Sequence, residues 1–152
     1  MKTIVPSRLL RTVFLADAAA SGAIAALHLV LADGAGAGLS GMLGLPAPLL
    51  SATGLFLAGY TLLLVVLARS AAIWSAVGWL IVAGNVGWSA LSVLLLVTGV
   101  LAPAPLGVAY VGAQAAGVLL FALLEWHGLR TSLPRALPGG QVSGAAIGGR
   151  AG

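Results

Sequence analysis

The chain has 152 residues, 61% of them hydrophobic and 7% charged, with a formal net charge of +4. A soluble domain carries about 25% charged residues, and a chain this short cannot hide so large an apolar excess from water, so the composition points to a bilayer. Seven basic residues are too few for a nucleic-acid surface, and the absence of cysteine excludes disulfides, thiolate metal sites and cysteine nucleophiles.

A short polar lead with Lys2 precedes Arg8 and Arg11, after which four apolar runs follow in order, at about 9–32, 49–68, 72–98 and 106–126. Each has about 20 residues or more, enough to cross a hydrocarbon core of about 30 Å as a helix. Pro46, Pro48, Pro103 and Pro105 fall at the ends of runs, where no helical hydrogen bond is lost. The long continuous runs lack the alternation that a membrane β-barrel requires. The expected fold is therefore all-α, an integral membrane four-helix bundle forming a single domain over 1–130. The first run resembles a signal peptide in its basic flank, but it is too long and carries Asp17 in its apolar part.

The first outer connection, Asp33 to Pro46, is glycine-rich with several leucines, which predicts a short turn or helix lying at the interface. The stretch 131–152 is rich in Gly, Ala and Pro without an apolar period, which predicts a disordered tail. Lys2, Arg8, Arg11, Arg69, Arg130, Arg135 and Arg150 all fall on one side of a four-span arrangement, whereas 33–48 and 99–105 contain no Lys or Arg. The positive-inside rule makes that side the cytoplasm, with both termini inside and the inner (plasma) membrane as the location. Trp74 and Trp126 sit near the same face, as interfacial aromatics do.

Small residues offer close helix contacts: Ala18 to Ala26 in the first span, Gly78, Gly84 and Gly87 in the third, Gly112 to Gly117 in the fourth. They fit packing within one chain better than a dedicated dimer seam, because small residues are common in membrane helices generally, though a homo-oligomer or a contact with a larger membrane complex is also compatible with them.

Four polar residues inside the spans require an explanation: Asp17, His28, Asn85 and Gln114. Asp17 lies about 9 Å along the helix beyond Arg11, where a carboxylate is costly unless paired or protonated. It is either a working acid or a structural anchor hydrogen-bonded to Tyr60 or Thr61. Asp17, Ser21 and His28 share one helical stripe, yet Asp17 and His28 stand about 16 Å apart along the axis. His28 is expected as a hydrogen-bonded interface residue near the depth of Ser51, Ser92 and Tyr110, rather than a metal ligand. Asn85, Trp88, Ser89 and Ser92 form a polar stripe that, with Gln114, either fastens the bundle or lines a small cavity. Arg11, Arg69, Glu125, Trp126 and Arg130 are placed at the cytoplasmic interface, with Glu125 able to pair with Arg11 or Arg130.

Several chemistries are set aside. His28 and His127 fall on opposite sides of the membrane, which excludes a bis-histidine haem within one chain. There is no intramembrane lysine and no phosphate-binding glycine loop. Asp17, Asp33 and Glu125 read as three separate places, so no paired-carboxylate site is expected. No cofactor, metal or catalytic residue is assigned.

The segments Leu15–Ala23, Gly44-Leu45-Pro46, Gly84-Asn85 with Trp88, and Glu125 with Gly128-Leu129-Arg130 resemble those of a group of small, uncharacterised four-span inner-membrane proteins of GC-rich bacteria, over about positions 7 to 130. The layout also looks like that of DoxX-type membrane proteins. Neither resemblance implies an activity. Small multidrug-resistance transporters are similar in having four helices with one acid in the first, but they carry Glu where this chain has Asp17, and their basic residues are less one-sided. Three readings follow. The first is a non-enzymatic accessory or structural membrane subunit. The second is a small proton-coupled transporter acting as a dimer, with Asp17 carrying the proton. The third, supported only by interfacial aromatics, is a quinone-handling oxidoreductase subunit.

Overall fold

A computed structural model of the chain describes residues 2–34 and 37–134. It is predominantly helical. The long helices are α1 (Arg8–Ala32), α3 (Ala47–Arg69), α4 (Ser75–Val97) and α5 (Pro105–Arg130), and each is long and apolar enough to cross a membrane. A short helix α2 (Ala37–Leu43) fills the connection expected as an interfacial turn or helix. Pro46 and Ala104 precede α3 and α5 with extended backbone, and a proline occupies the first turn of each, where its missing N–H removes no bond.

The helices pack as two pairs, α1 with α3 and α4 with α5, and α1 also crosses α5. A core of Leu10, Phe14, Ala18, Leu64, Ala68, Ile81 and Leu129 holds the end that carries the basic residues. Leu31, Leu43, Leu45 and Leu50 form a second, smaller core at the opposite end. Between α3 and α4 a cleft is left, crossed by parallel stacking of Phe56 on Trp88 with ring centroids 5.6 Å apart.

The basic end is closed by a small antiparallel sheet. Strand β1 (Thr3–Val5) lies between β2 (Ile73–Trp74) and β3 (Leu133–Pro134), with Thr3 opposite Trp74 and Val5 opposite Leu133. Two expectations change here. The third span begins at Ser75 rather than near 72, because Ile73 and Trp74 are extended against β1. Leu133–Pro134, inside the stretch expected as a disordered tail, is ordered by pairing with β1. Residues 135–152, with Arg135 and Arg150, lie outside the described residues.

Hydrogen bonds tie the same end together. Ser7 caps α1 by accepting from the Leu10 N–H at 3.1 Å and donates its hydroxyl to the Gly128 carbonyl of α5 at 3.0 Å. Arg11 Nη1 donates to the Ala68 carbonyl at 2.7 Å, satisfying a C-terminal carbonyl of α3 with a cation where the helix dipole favours one. At the opposite end, Gly44 has φ +64° and the Ala104 N–H donates to the Leu43 carbonyl at 3.0 Å. That contact brings Leu43 so close to Gly107 that a Cβ there would overlap its carbonyl oxygen.

Candidate functional site: a buried carboxyl pair beside a helix cleft

Asp17 is delivered by the buried stripe of α1, together with Ser21 and His28, as the helical spacing predicts. It is 2% exposed. Its Oδ1 accepts from the Ser21 hydroxyl one turn on, at 2.8 Å. Its Oδ2 faces two donors from other helices, the Tyr60 hydroxyl of α3 at 3.0 Å and Asn85 Nδ2 of α4 at 3.2 Å. Tyr60 is thus the partner anticipated for Asp17, and Thr61 is not: the Thr61 hydroxyl is buried without a hydrogen bond.

Glu125 corrects the sequence reading. It does not sit at the interface with Arg11 or Arg130. It is 0% exposed and accepts from Asn85 Nδ2 at 3.0 Å. Arg11 is engaged by Ala68, and the Arg130 guanidinium lies 5.0 Å from the ring centre of Trp126. Trp126 itself is exposed, and Arg69 ends α3 beside the sheet. The reason is geometric: Glu125 is five residues before the end of α5, so the side chain starts about 7 Å inside the helix end and turns inward, where only α1 and α4 can meet it.

The expectation that no paired-carboxylate site exists is therefore overturned. Asp17 and Glu125 share the amide of Asn85, and Tyr60 completes the cluster by reaching Asn85 Oδ1 at 2.9 Å as well as Asp17. Glu125 Oε1 is buried with no hydrogen-bond partner. Two acids on one amide inside an apolar bundle cannot both be ionised cheaply, because like charges and desolvation act in the same direction.

A cavity of about 350 Å³ abuts this cluster in the α3–α4 cleft. Ser21, Tyr60 and Asn85, the groups that hold Asp17, form its polar side, and Phe56, Leu63 and Leu80 are among its apolar walls. Gly84 borders it with open space where a Cβ would project. Trp88 also lines a second cavity, of about 180 Å³, at the other end.

His28 borders that second cavity, and both of its ring nitrogens are engaged. Nδ1 lies 2.7 Å from the Thr53 hydroxyl and Nε2 2.8 Å from the Tyr110 hydroxyl. Thr53 spends its own proton on the Leu49 carbonyl at 2.8 Å, so His28 Nδ1 donates and Nε2 accepts from Tyr110. Gln114 approaches Nε2 at 3.5 Å. His28 is thus hydrogen-bonded between helices, to Tyr110 and Thr53, and Ser92 lines the same cavity, in line with the depth expected for it. Asn85 and Gln114, read together on the sequence, belong to two different clusters. Ser89 does fasten helices, donating to the Ala115 carbonyl at 2.8 Å. Among the described residues no group of three or more metal-ligating side chains assembles.

No family model matches the chain, and no curated protein or solved structure matches it.

Proposed function

We propose that the protein is a small multi-pass carrier of the inner membrane that links occupation of the α3–α4 cleft to a proton held between Asp17 and Glu125. The observation that carries this reading is the position of Asn85, which bridges the two carboxyls with Nδ2 and also borders the cavity. The working acid is then a pair rather than Asp17 alone, and all its parts come from one chain, so no dimer is needed to assemble it.

Orientation belongs to the same proposal. Lys2, Arg8, Arg11, Arg69 and Arg130 gather at the sheet-capped end, which the positive-inside rule assigns to the cytoplasm together with both termini. Asp17 lies nine residues from the start of α1, about 13 Å in, so a proton there must be relayed rather than exchanged at the headgroups. The Tyr60 hydroxyl is the relay group, since it touches Asp17 and borders the cavity, and Asn85 positions the two carboxyls.

Proteoliposomes with a trapped pH indicator test it. A set of naphthalene derivatives bearing amine, alcohol or carboxylate heads is imposed as a gradient, one at a time. At least one is expected to drive proton movement in the wild type and to lose that effect in Asp17→Asn and Glu125→Gln while the protein stays folded. Absence of coupled movement with every head group would argue against a carrier.

The accessory-subunit reading retains one specific observation. Asp17 is closed off by Ser21, Tyr60 and Asn85, as a structural anchor would be. It predicts that Asp17→Asn lowers stability and that no proton movement occurs with any compound.

A further inference from the structure

We infer that the α3–α4 cavity takes an apolar molecule headed by a protonated amine, an inference that rests on Asp17 and Glu125 holding a proton between them. The donors on the polar side of the cavity are all committed. The Ser21 hydroxyl proton is directed to Asp17 Oδ1 at 2.8 Å. The Tyr60 hydroxyl proton goes to Asn85 Oδ1 at 2.9 Å or Asp17 Oδ2 at 3.0 Å. Both amide protons of Asn85 are used, on Asp17 at 3.2 Å and Glu125 at 3.0 Å. Every donor on that side is engaged within the cluster of Asp17, Asn85 and Glu125 rather than left for the cavity. What is left for an occupant is oxygen lone pairs on Ser21, Tyr60 and Asn85, with two acids behind them.

An occupant must therefore donate hydrogen bonds. A carboxylate or carbonyl head meets only acceptors and is repelled by the acids behind. An alcohol supplies one donor and no charge. A protonated amine supplies up to three donors and the charge that the acids lack, and charge-assisted hydrogen bonds are about twice as strong as neutral ones.

The remaining wall suits an apolar or aromatic body. Phe56 lies parallel to Trp88 at an interplanar angle of 3° and to Tyr60 at 6°, so three ring faces are aligned along the cleft. Apart from the indole of Trp88, the other lining side chains are hydrocarbon. Ring faces also attract a cation. A volume of about 350 Å³ falls in the range of small-molecule pockets.

The charge balance closes within the site. As the ammonium enters, the proton held between Asp17 and Glu125 leaves to the medium, so one positive charge is exchanged for another. No bond is made or broken except that O–H.

The test uses the full chain in nanodiscs and four probes sharing one body: 1-naphthylmethylamine, its N-trimethylammonium counterpart, 1-naphthylmethanol and 1-naphthoate. Calorimetry in two buffers of different ionisation enthalpy gives both affinity and protons released. The amine should bind about tenfold tighter than the alcohol and the trimethylammonium compound, release close to one proton, and leave naphthoate without measurable binding. Tyr60→Phe, which removes one acceptor, should weaken the amine about tenfold. Gly84→Leu should abolish binding by filling the open space beside Gly84 without touching the carboxyl cluster.

Equal affinity of amine and trimethylammonium would overturn the donor argument, and preference for naphthoate or the alcohol would overturn the ligand class. Amine binding that survives Gly84→Leu would overturn the location. Binding of the amine with no proton released would instead contradict the shared proton, leaving the cavity assignment in place. Proton movement driven only by the alcohol or the carboxylate would leave the carrier reading in place and remove the amine.

Discussion

Asp17 Oδ2 and Glu125 Oε2 accept hydrogen bonds from a single nitrogen, Nδ2 of Asn85, at 3.2 and 3.0 Å. The first and last of the four long helices are thereby joined through the third, and two acids that the chain places far apart share one hydrogen-bond network.

Residues that share a network do not contribute additively. A double-mutant cycle of Asp17→Asn with Glu125→Gln should show an interaction of about 0.5–3 kcal/mol in melting or chemical denaturation in detergent. Additive effects would mean that the two acids do not share their bridge.

Asn85→Leu removes the bridge while keeping side-chain size. It leaves Glu125 Oε2 buried without a partner and Asp17 Oδ2 with the Tyr60 hydroxyl alone, the stranded oxygen costing about 1–3 kcal/mol. A loss of a few kcal/mol is expected on thermal melting. Glu125→Gln in the Asn85→Leu background should recover part of it, because a neutral amide replaces the acid that is left without a hydrogen bond.

How far this was legible beforehand can be judged from individual residues. The four long helices follow from length and apolarity alone, since runs of about 20 apolar residues suit a helix of bilayer length whatever the packing. Asp17 with Tyr60 followed from depth, because an antiparallel helix brings equal depths together. Glu125 was misplaced because Trp126, His127 and Arg130 beside it look interfacial, although its distance from Arg130 nearly matches that of Asp17 from Arg11. Equal depth on two helices was the available signal. Which way Glu125 turns depends on the rotation of α5 about its axis, and the apolar residues around that helix are too evenly spread to show it. The terminal sheet was invisible for another reason: Thr3–Val5, Ile73–Trp74 and Leu133–Pro134 are too short to carry any alternation.

Glycines separate close contact from open space. Gly107→Ala should destabilise by well over 1 kcal/mol, because its Cβ would overlap the Leu43 carbonyl and break the seat of α2 on α5. Gly44→Ala adds the strain of a left-handed backbone, about 1–2 kcal/mol. Gly84→Ala meets nothing and should be neutral or stabilising by about 0.5–1 kcal/mol. Melting curves of the three variants under one set of conditions check the order.

At the second cavity, Tyr110→Phe removes the donor to His28 Nε2 and leaves a buried acceptor to Gln114 alone. A cost of about 1–3 kcal/mol is expected, with proton coupling at the Asp17–Glu125 pair unchanged, as flux measurements in the same variant would show. Loss of coupling in Tyr110→Phe at full stability would mean that the two clusters work together.

The shared proton is the centre of the account, and infrared spectroscopy reads it directly. In nanodiscs at neutral pH the wild type should show the carbonyl stretch of a protonated carboxyl, and the band should shift or vanish in both Asp17→Asn and Glu125→Gln, and on addition of 1-naphthylmethylamine. A spectrum with only ionised carboxylates in the wild type, or a band indifferent to both substitutions, would contradict it.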